Sequence, residues 1–382
     1  RDMAGPLAGV RVIELAGLGA LPYGVLRLAD MGADVVRVER VDEVPREPAP
    51  RRGSAWDRGR RSVAVDLKHP DGVETVLRLA EGAEVFLESF RPGVVERLGV
   101  GPEAVHARSP HVVYGRLTGY GQEGPLAHAA GHSLNYEALT GVVRAIGPRG
   151  GPPVPLLNVL GDFAGGGLHL AYGVVCALLE ARRSGRGQVV DVAMTDAVMA
   201  LASPFYAMAA VGMHGERMGE NLFDGGAPHY NVYETADGRF VSVAPIEERF
   251  WRLLLAKLGL DAEALPDRAD PANWPVLRET LAAVFRTKTR DAWCELLEGT
   301  DACFAPVLTF TEATTHPHHR DRGCFDEDEA LPTLRPVPRL SRTPGGPGPA
   351  PAHPGADTEA VLREAGFDAA EIARLRDAGA VA

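Results

Sequence analysis

Gly9-Val10-Arg11-Val12-Ile13-Glu14-Leu15, followed by Gly17 and Gly19 and then by Ala33-Asp34-Val35-Val36-Arg37-Val38-Glu39, decides the fold of this chain. The first run is short and β-rich. A helical pattern through Leu26, Leu28 and Met31 to Gly32 separates it from the second. Strand, glycine turn, helix and strand make a βαβ unit, which implies parallel pairing and a right-handed crossover. Such a turn invites a dinucleotide reading with Glu39 on a ribose. After Gly17-x-Gly19, however, the third glycine position holds Pro22, so the fingerprint is incomplete.

Working outward, the alternation continues. Ser62 to Lys68 reads as a half-buried strand, Pro70 to Ala80 as a helix, and Val85 to Leu87 as a strand. Phe90 to Gly99 gives a turn and a short helix, Val112 to Leu117 a strand, Gln188 to Ala193 another, and Thr195 begins a helix. This half is a doubly wound α/β domain. After Phe205 the composition changes: residues 211 to 228 form a glycine-rich loop, and Tyr230 to Glu234 with Arg239 to Ala244 form a hairpin around Asp237-Gly238. Helices follow at Glu247 to Leu258, Pro275 to Phe285 and Thr289 to Leu297, which makes a smaller α+β unit. Residues 330 to 355 are a proline-rich linker, and Thr358 to Ala378 is helical with Gly366 as a break.

The chemistry is expected between Gly131 and Gly167. Gly131-His132-Ser133-Leu134-Asn135-Tyr136 opens this stretch and Asn158-Val159-Leu160-Gly161-Asp162-Phe163 nears its end, with Gly165 to Gly167 after it. A Pro/Gly-rich connection, Gly147 to Pro155, separates an imidazole from a carboxylate. One base on each side of a carbon is what moving a proton between its faces requires. Taken singly, His132 also reads as a surface or satisfied core residue, and Asp162 as the N-cap of an apolar helix. An Asp beside the unpaired N–H groups of a helix start also stands where an oxyanion is stabilised, and glycines there let a ligand approach the backbone.

With 382 residues, 45% of them hydrophobic and 24% charged, the chain has room for two domains or one large elaborated one. A formal net charge of −11 argues against a general nucleic-acid binder. Within it, Arg51, Arg52, Arg58, Arg60 and Arg61 cluster ahead of Lys68. Alone they read as a solvated charged loop; in an acidic protein they also suit a phosphate-bearing ligand. The Gly-x4-Gly-Lys-Ser/Thr loop of nucleotide hydrolases is absent. Cys176, Cys294, Cys303 and Cys324 show no metal-like or paired spacing, so a reducing cytoplasmic location is expected. No signal peptide is expected, because the N-terminus has no apolar h-region behind a basic start. No membrane association is expected either, because the longest apolar run, Leu168 to Leu179, is too short to span a bilayer and reads as a buried helix.

Over nearly its full length the chain resembles the class III CoA-transferase family, and within it the α-methylacyl-CoA racemase branch. Gly9 to Leu15, Asp30 to Arg40, Ser62 to Lys68, Arg91 to Gly99, Gly131 to Tyr136, Asn158 to Gly167, Asn221 to Gly238 and Cys303 to Val307 carry the match. The resemblance implies a large Rossmann-like CoA-binding domain from both chain ends (3–204 and 330–382), a small α+β domain (226–329) and a linker (205–225). It implies an interlocked homodimer, with acyl-CoA between the large domain of one chain and the small domain of the other. Arg40, Lys68, Arg91, Arg97 and Asn158 fall on CoA-binding positions. His132 and Asp162 fall on the two bases, and Glu247 on the small-domain carboxylate that partners the His.

The activity implied is inversion of the α-carbon of a 2-methyl-branched acyl-CoA, with the thioester as substrate and no separate cofactor or metal. In the transferase branch the Asp instead attacks the thioester and the His is typically absent. A third possibility is a non-catalytic acyl-CoA-binding protein. Two positions depart from the racemase pattern: Ser133 stands where an Asp usually follows the His and supports the catalytic carboxylate, and Tyr230-Asn231 stands for Tyr-Asp.

Overall fold

Parallel strands buried on both faces read as continuous apolar runs, and the βαβ unit found in the sequence is built this way. In a computed structural model describing residues 5–47, 57–326 and 333–382, it comprises β1 (Arg11–Leu15), α1 (Ala20–Asp30) and β2 (Asp34–Glu39). With β3 (Arg60–Ala64), β4 (Val85–Glu88), β5 (Val113–Thr118) and β6 (Val189–Ala193) these strands form a six-stranded sheet in the order β3-β2-β1-β4-β5-β6. Every neighbouring pair is parallel. The order reverses between β1 and β4, and the crevice at the carboxyl ends of strands beside such a reversal is where open α/β sheets bind ligands.

Strand periodicity divides the core. Val36, Ile13, Phe86 and Tyr114 sit in register on one face, covered by α2 (Pro70–Glu81), by α4 (Pro102–Arg108) beyond the short α3 (Val94–Leu98), and by C-terminal helices Thr358–Glu364 and Ala369–Asp377. Val35, Val12, Val85 and Val113 line the other, under α1 and α6 (His169–Ser184), with α5 (Ser133–Ala138) between β5 and α6. The chain end closes the β3 edge: Asp66 N–H donates to Ala380 O at 2.9 Å and Ser62 N–H to Asp357 Oδ2 at 2.8 Å. Both ends of the chain thus build this unit, which comprises Arg1–Thr140, Leu156–Leu201 and Phe325–Ala382.

The second unit comprises Gly141–Pro155 and Ala202–Cys324. Its longer segment begins, after α7 (Met194–Leu201) of the first unit, with α8 (Ser203–Ala210). The expected hairpin is present as β7 (Asn231–Glu234) and β8 (Phe240–Val243), and β9 (Phe304–Val307) extends it to three antiparallel strands. Helices α9 (Glu248–Leu258), α10 (Trp274–Phe285) and α11 (Arg290–Leu297) pack around Tyr233, Trp251, Phe285 and Trp293. Residues 205–225, expected as a linker, belong to this unit, as does the 141–155 excursion. The loop is tied by Asp224, which accepts N–H groups from Asn221 (2.8 Å), Gly226 (3.1 Å) and Gly219 (2.9 Å).

Two expectations need correction. Arg58, Arg60 and Arg61 are structural: they pair with Asp30 (2.8 Å), Glu14 (2.6 Å) and Asp34 (2.8 Å), carboxylates brought alongside by the sheet and α1. Arg51 and Arg52 lie outside the described residues. The apolar run at Leu168 is part of a longer helical stretch, Val159–Ser184, whose 26 residues make it long and apolar enough to cross a membrane by length and composition alone. It is also only half buried. Leu170, Ala171, Val174, Ala177 and Leu178 face the core, whereas Leu168, Tyr172, Cys176 and Leu179 form an exposed stripe.

Candidate active site

Asp162 does not cap the helix that follows it. The helical stretch opens as a π-helix, Val159–Leu168, whose cap residue is Asn158, so Asp162 lies inside its first turn. The chain turns into it through Leu157, which adopts a left-handed φ of 59°. Asp162 N–H reaches Asn158 O at 3.2 Å, and Phe163 N–H reaches the same oxygen at 3.4 Å, five residues back. Such wide turns are rare and recur at functional sites. The expected use of the three glycines is also corrected: they admit neighbouring helices. A Cβ on Gly24 of α1 would lie 2.5 Å from Gly167 O, and one on Gly165 would lie 2.9 Å from Val198 of α7. The π-helix is thereby seated against α1, with Phe163 stacked on Tyr23 at 4.7 Å.

This seating carries the Asp162 carboxylate to the start of α1. Oδ2 lies 3.2 Å from where a Cβ on Gly19 would stand, and Gly19 caps α1 directly after β1, at the strand-order reversal. Unpaired N–H groups and the positive end of the helix dipole favour negative charge there. Asn158 Nδ2 donates to the same Oδ2 at 3.0 Å.

His132 caps the short helix α5, its N–H bonded to Asn135 Oδ1 at 3.0 Å and its side chain exposed. The next residue, Ser133, is buried, and its Oγ accepts the Asp162 N–H at 3.2 Å. The helix start bearing the imidazole is therefore docked on the turn bearing the carboxylate. Tyr136 donates its hydroxyl to Gly131 O and meets Tyr120 edge-on at 4.8 Å. Burial pushes the Tyr136 hydroxyl upward, Tyr120 and Asp162 add to the shift, and Arg91 opposes it, which puts Arg91 within electrostatic reach of the same spot.

The other expected cations follow the same edge of the sheet. Arg40 comes directly after β2, Lys68 shortly after β3, Arg91 after β4, and Arg97 lies on α3. All four are exposed; Arg40 is paired with Asp42. Asn158 is exposed as well, but its amide serves Asp162.

Glu247 belongs to the second unit, as the exposed cap of α9, and its carbonyl accepts Phe250 and Trp251 N–H at 3.1 and 3.0 Å. Burial raises the Cys303 thiol, with Glu247 adding to the rise, and Cys303 itself sits at a left-handed φ of 52°. Asn231 has a structural reason to be an amide: its Nδ2 donates to Gly225 O (2.8 Å) and Ala227 O (3.2 Å), which a carboxylate could not do. No group of three or more His, Cys, Asp or Glu suited to a metal occurs among the described residues.

Sequence reasoning passed over Glu137 altogether. It is fully buried; Oε1 accepts Ser133 Oγ–H at 2.8 Å and Gly161 N–H at 2.7 Å. The Ser133-x3-Glu137 spacing, one helical turn, was the available signal.

The pattern that defines CoA-transferase family III matches residues 7–358. The chain is similar to the alpha-methylacyl-CoA racemase of Mus musculus, 46% identical over 97% of this chain and 96% of that protein. It is 42% identical to the enzyme of the same name from Homo sapiens, with the same coverage of 97% and 96%. Among solved structures it is similar to a CAIB/BAIF family protein from Brucella suis, with a TM-score of 0.80 and 26% identity over 95% of this chain and 100% of that one.

Proposed function

The chain belongs to CoA-transferase family III, and from that premise we propose that it is an acyl-CoA racemase. In this reading it inverts the α-carbon of a 2-methyl-branched acyl-CoA by proton transfer between His132 and Asp162. The observation that carries the reading is the docking of the His132 helix start on the Asp162 turn through Ser133 Oγ, beside the start of α1. The racemase relatives support the substrate class.

An α-proton of a thioester is weakly acidic, so its removal needs a positioned base and a stabilised enolate oxygen. Asp162 or neutral His132 takes the proton from one face; the electron pair left on the α-carbon delocalises onto the thioester oxygen. The protonated partner on the other side returns a proton to the opposite face, and the bases regain their charge states on exchange with solvent. The amides at the start of α1 suit the enolate oxygen or hold the carboxylate ready. No electron leaves the substrate, so the reaction requires no redox cofactor. Arg40, Lys68, Arg91 and Arg97 receive the nucleotide and phosphates of CoA in an otherwise acidic protein, and the Asn158 amide orients Asp162.

We further propose the interlocked homodimer, in which Glu247 of one chain orients His132 of the other. The exposed stripe Leu168, Tyr172, Cys176 and Leu179 on the Val159–Ser184 helical stretch and the outer edge of β6, unpaired among the described residues, are surfaces that a second copy would cover.

One observation favours a second reading: Ser133 replaces the carboxylate expected beside the His, leaving Asp162 the nearer analogue of a transferase nucleophile. Solvent deuterium entering the α-carbon across a panel of branched acyl-CoAs supports racemisation. A covalent Asp162–CoA thioester that turns over only with a second acid supports transfer. Binding with neither reaction leaves a carrier, and wild type without uptake on any substrate refutes the racemase reading.

A further inference from the structure

Glu137 is a buried carboxylate that, among the described residues, has neutral donors only on Oε1 and no hydrogen-bond partner on Oε2. Its two donors both lead to Asp162. Gly161 N–H belongs to the residue before it, and the Ser133 hydroxyl accepts the N–H of Asp162 itself. Those two N–H groups lie in the first turn of the helical stretch, at its positive end, and Asp162 N–H is shared between Ser133 Oγ and Asn158 O, each at 3.2 Å. The clamp closes only on glycine: a Cβ at Gly161 would lie 2.3 Å from Ser133 Oγ and 2.7 Å from Glu137 Oε1. The same clamp ties the turn to α5, whose cap is His132.

We propose that Glu137 is a positioning residue for proton transfer at Asp162. Through Ser133 Oγ and Gly161 N–H it fixes the backbone from which the Asp162 carboxylate reaches Gly19. In this chain the supporting carboxylate stands one helical turn beyond position 133, with Ser133 as the link. The proposal rests on Asp162 being one of the two bases.

A merely structural clamp would support both bases alike, so the test reads each face separately. α-Proton exchange in D2O is followed for each enantiomer of a 2-methylacyl-CoA, with kcat and KM, in Glu137→Leu, Glu137→Gln, Ser133→Ala and the Ser133→Asp/Glu137→Leu double variant. Asp162→Asn identifies the enantiomer served by Asp162. For that enantiomer Glu137→Leu lowers kcat by roughly a hundredfold, the loss expected when a reacting group is displaced by about 1 Å. KM and exchange of the other enantiomer change by no more than about threefold, well below that displacement loss.

Glu137→Gln, which keeps an oxygen for both donors, and the double variant, which returns a carboxylate beside Asp162, recover most of the loss. Ser133→Ala removes both hydrogen bonds of the Ser133 hydroxyl but leaves Gly161 N–H on Glu137, and gives the same one-sided loss in smaller measure. Equal loss for both enantiomers, or none, in Glu137→Leu and Ser133→Ala overturns the proposal while leaving Asp162 as a base. Full exchange of both enantiomers by Asp162→Asn overturns the two-base reading and this proposal with it.

Discussion

His229 offers a direct test of the electrostatics in the second unit. Its imidazole is buried between Trp251 (6.1 Å) and Trp274 (6.3 Å), with Nδ1 unpartnered among the described residues. The Arg268 guanidinium lies over the Trp251 ring at 5.2 Å and donates to Pro245 O, Ile246 O and Glu248. Burial first, and the Arg268 charge second, push the His229 pKa from 6.5 down to about 4.

Because the folded pKa is depressed, the unfolded chain binds the extra proton between these values. The stabilising contribution is full above pH 6.5 and is lost as the pH falls through about 4. At about 1.4 kcal/mol per unit, the contribution amounts to roughly 3 kcal/mol. In His229→Phe, an apolar ring of similar shape, this slope disappears, and stability at pH 7 changes by less than about 1.5 kcal/mol. Urea unfolding followed by tryptophan fluorescence at pH 4.5, 5.5 and 7 measures it. Trp251, Trp274 and Trp293 all lie in this unit, so the signal reports it well. Trp251 stands in the first turn of α9, so protonation also disturbs the helix capped by Glu247. Parallel pH slopes in wild type and variant would show that His229 is not held neutral by its burial and Arg268.

Two other outcomes follow from the proposed function. Lys68→Ala and Arg97→Ala weaken acyl-CoA binding by about tenfold each, more than they slow turnover of bound substrate, and the affinity falls with added salt; calorimetry with unchanged affinity in both variants counts against this CoA site. Light scattering at assay concentration finds an active dimer, and dissociated chains are inactive because Glu247 must reach the partner; an active monomer removes that role for Glu247.

The βαβ start was legible because its strands are buried on both faces and its turn is glycine-marked: Arg11–Leu15, Ala20–Asp30 and Asp34–Glu39 fall within the runs read from the sequence. The hairpin at Asp237-Gly238 was legible for a similarly local reason. Remote pairing was not. Nothing near Arg58 or Arg60 announces Asp30 or Glu14, which the sheet and its first helix supply from 28 and 46 residues away. Asp162 read as an N-cap because an apolar run follows it; the glycines that seat a π-helix between α1 and α7 moved the cap to Asn158. Glu137 escaped notice because a Glu in a short helix ordinarily faces water, and its second donor, Gly161, comes from another element.

In the proposed reaction His132 and Asp162 serve opposite faces of one carbon. Chiral analysis of each enantiomer of a branched acyl-CoA recovered from D2O with His132→Ala and with Asp162→Asn tests it most directly. Both variants lose inversion, and each retains deuterium uptake on the face of its surviving base, with opposite stereochemical preference. Full inversion by both variants would contradict the account and put the bases elsewhere.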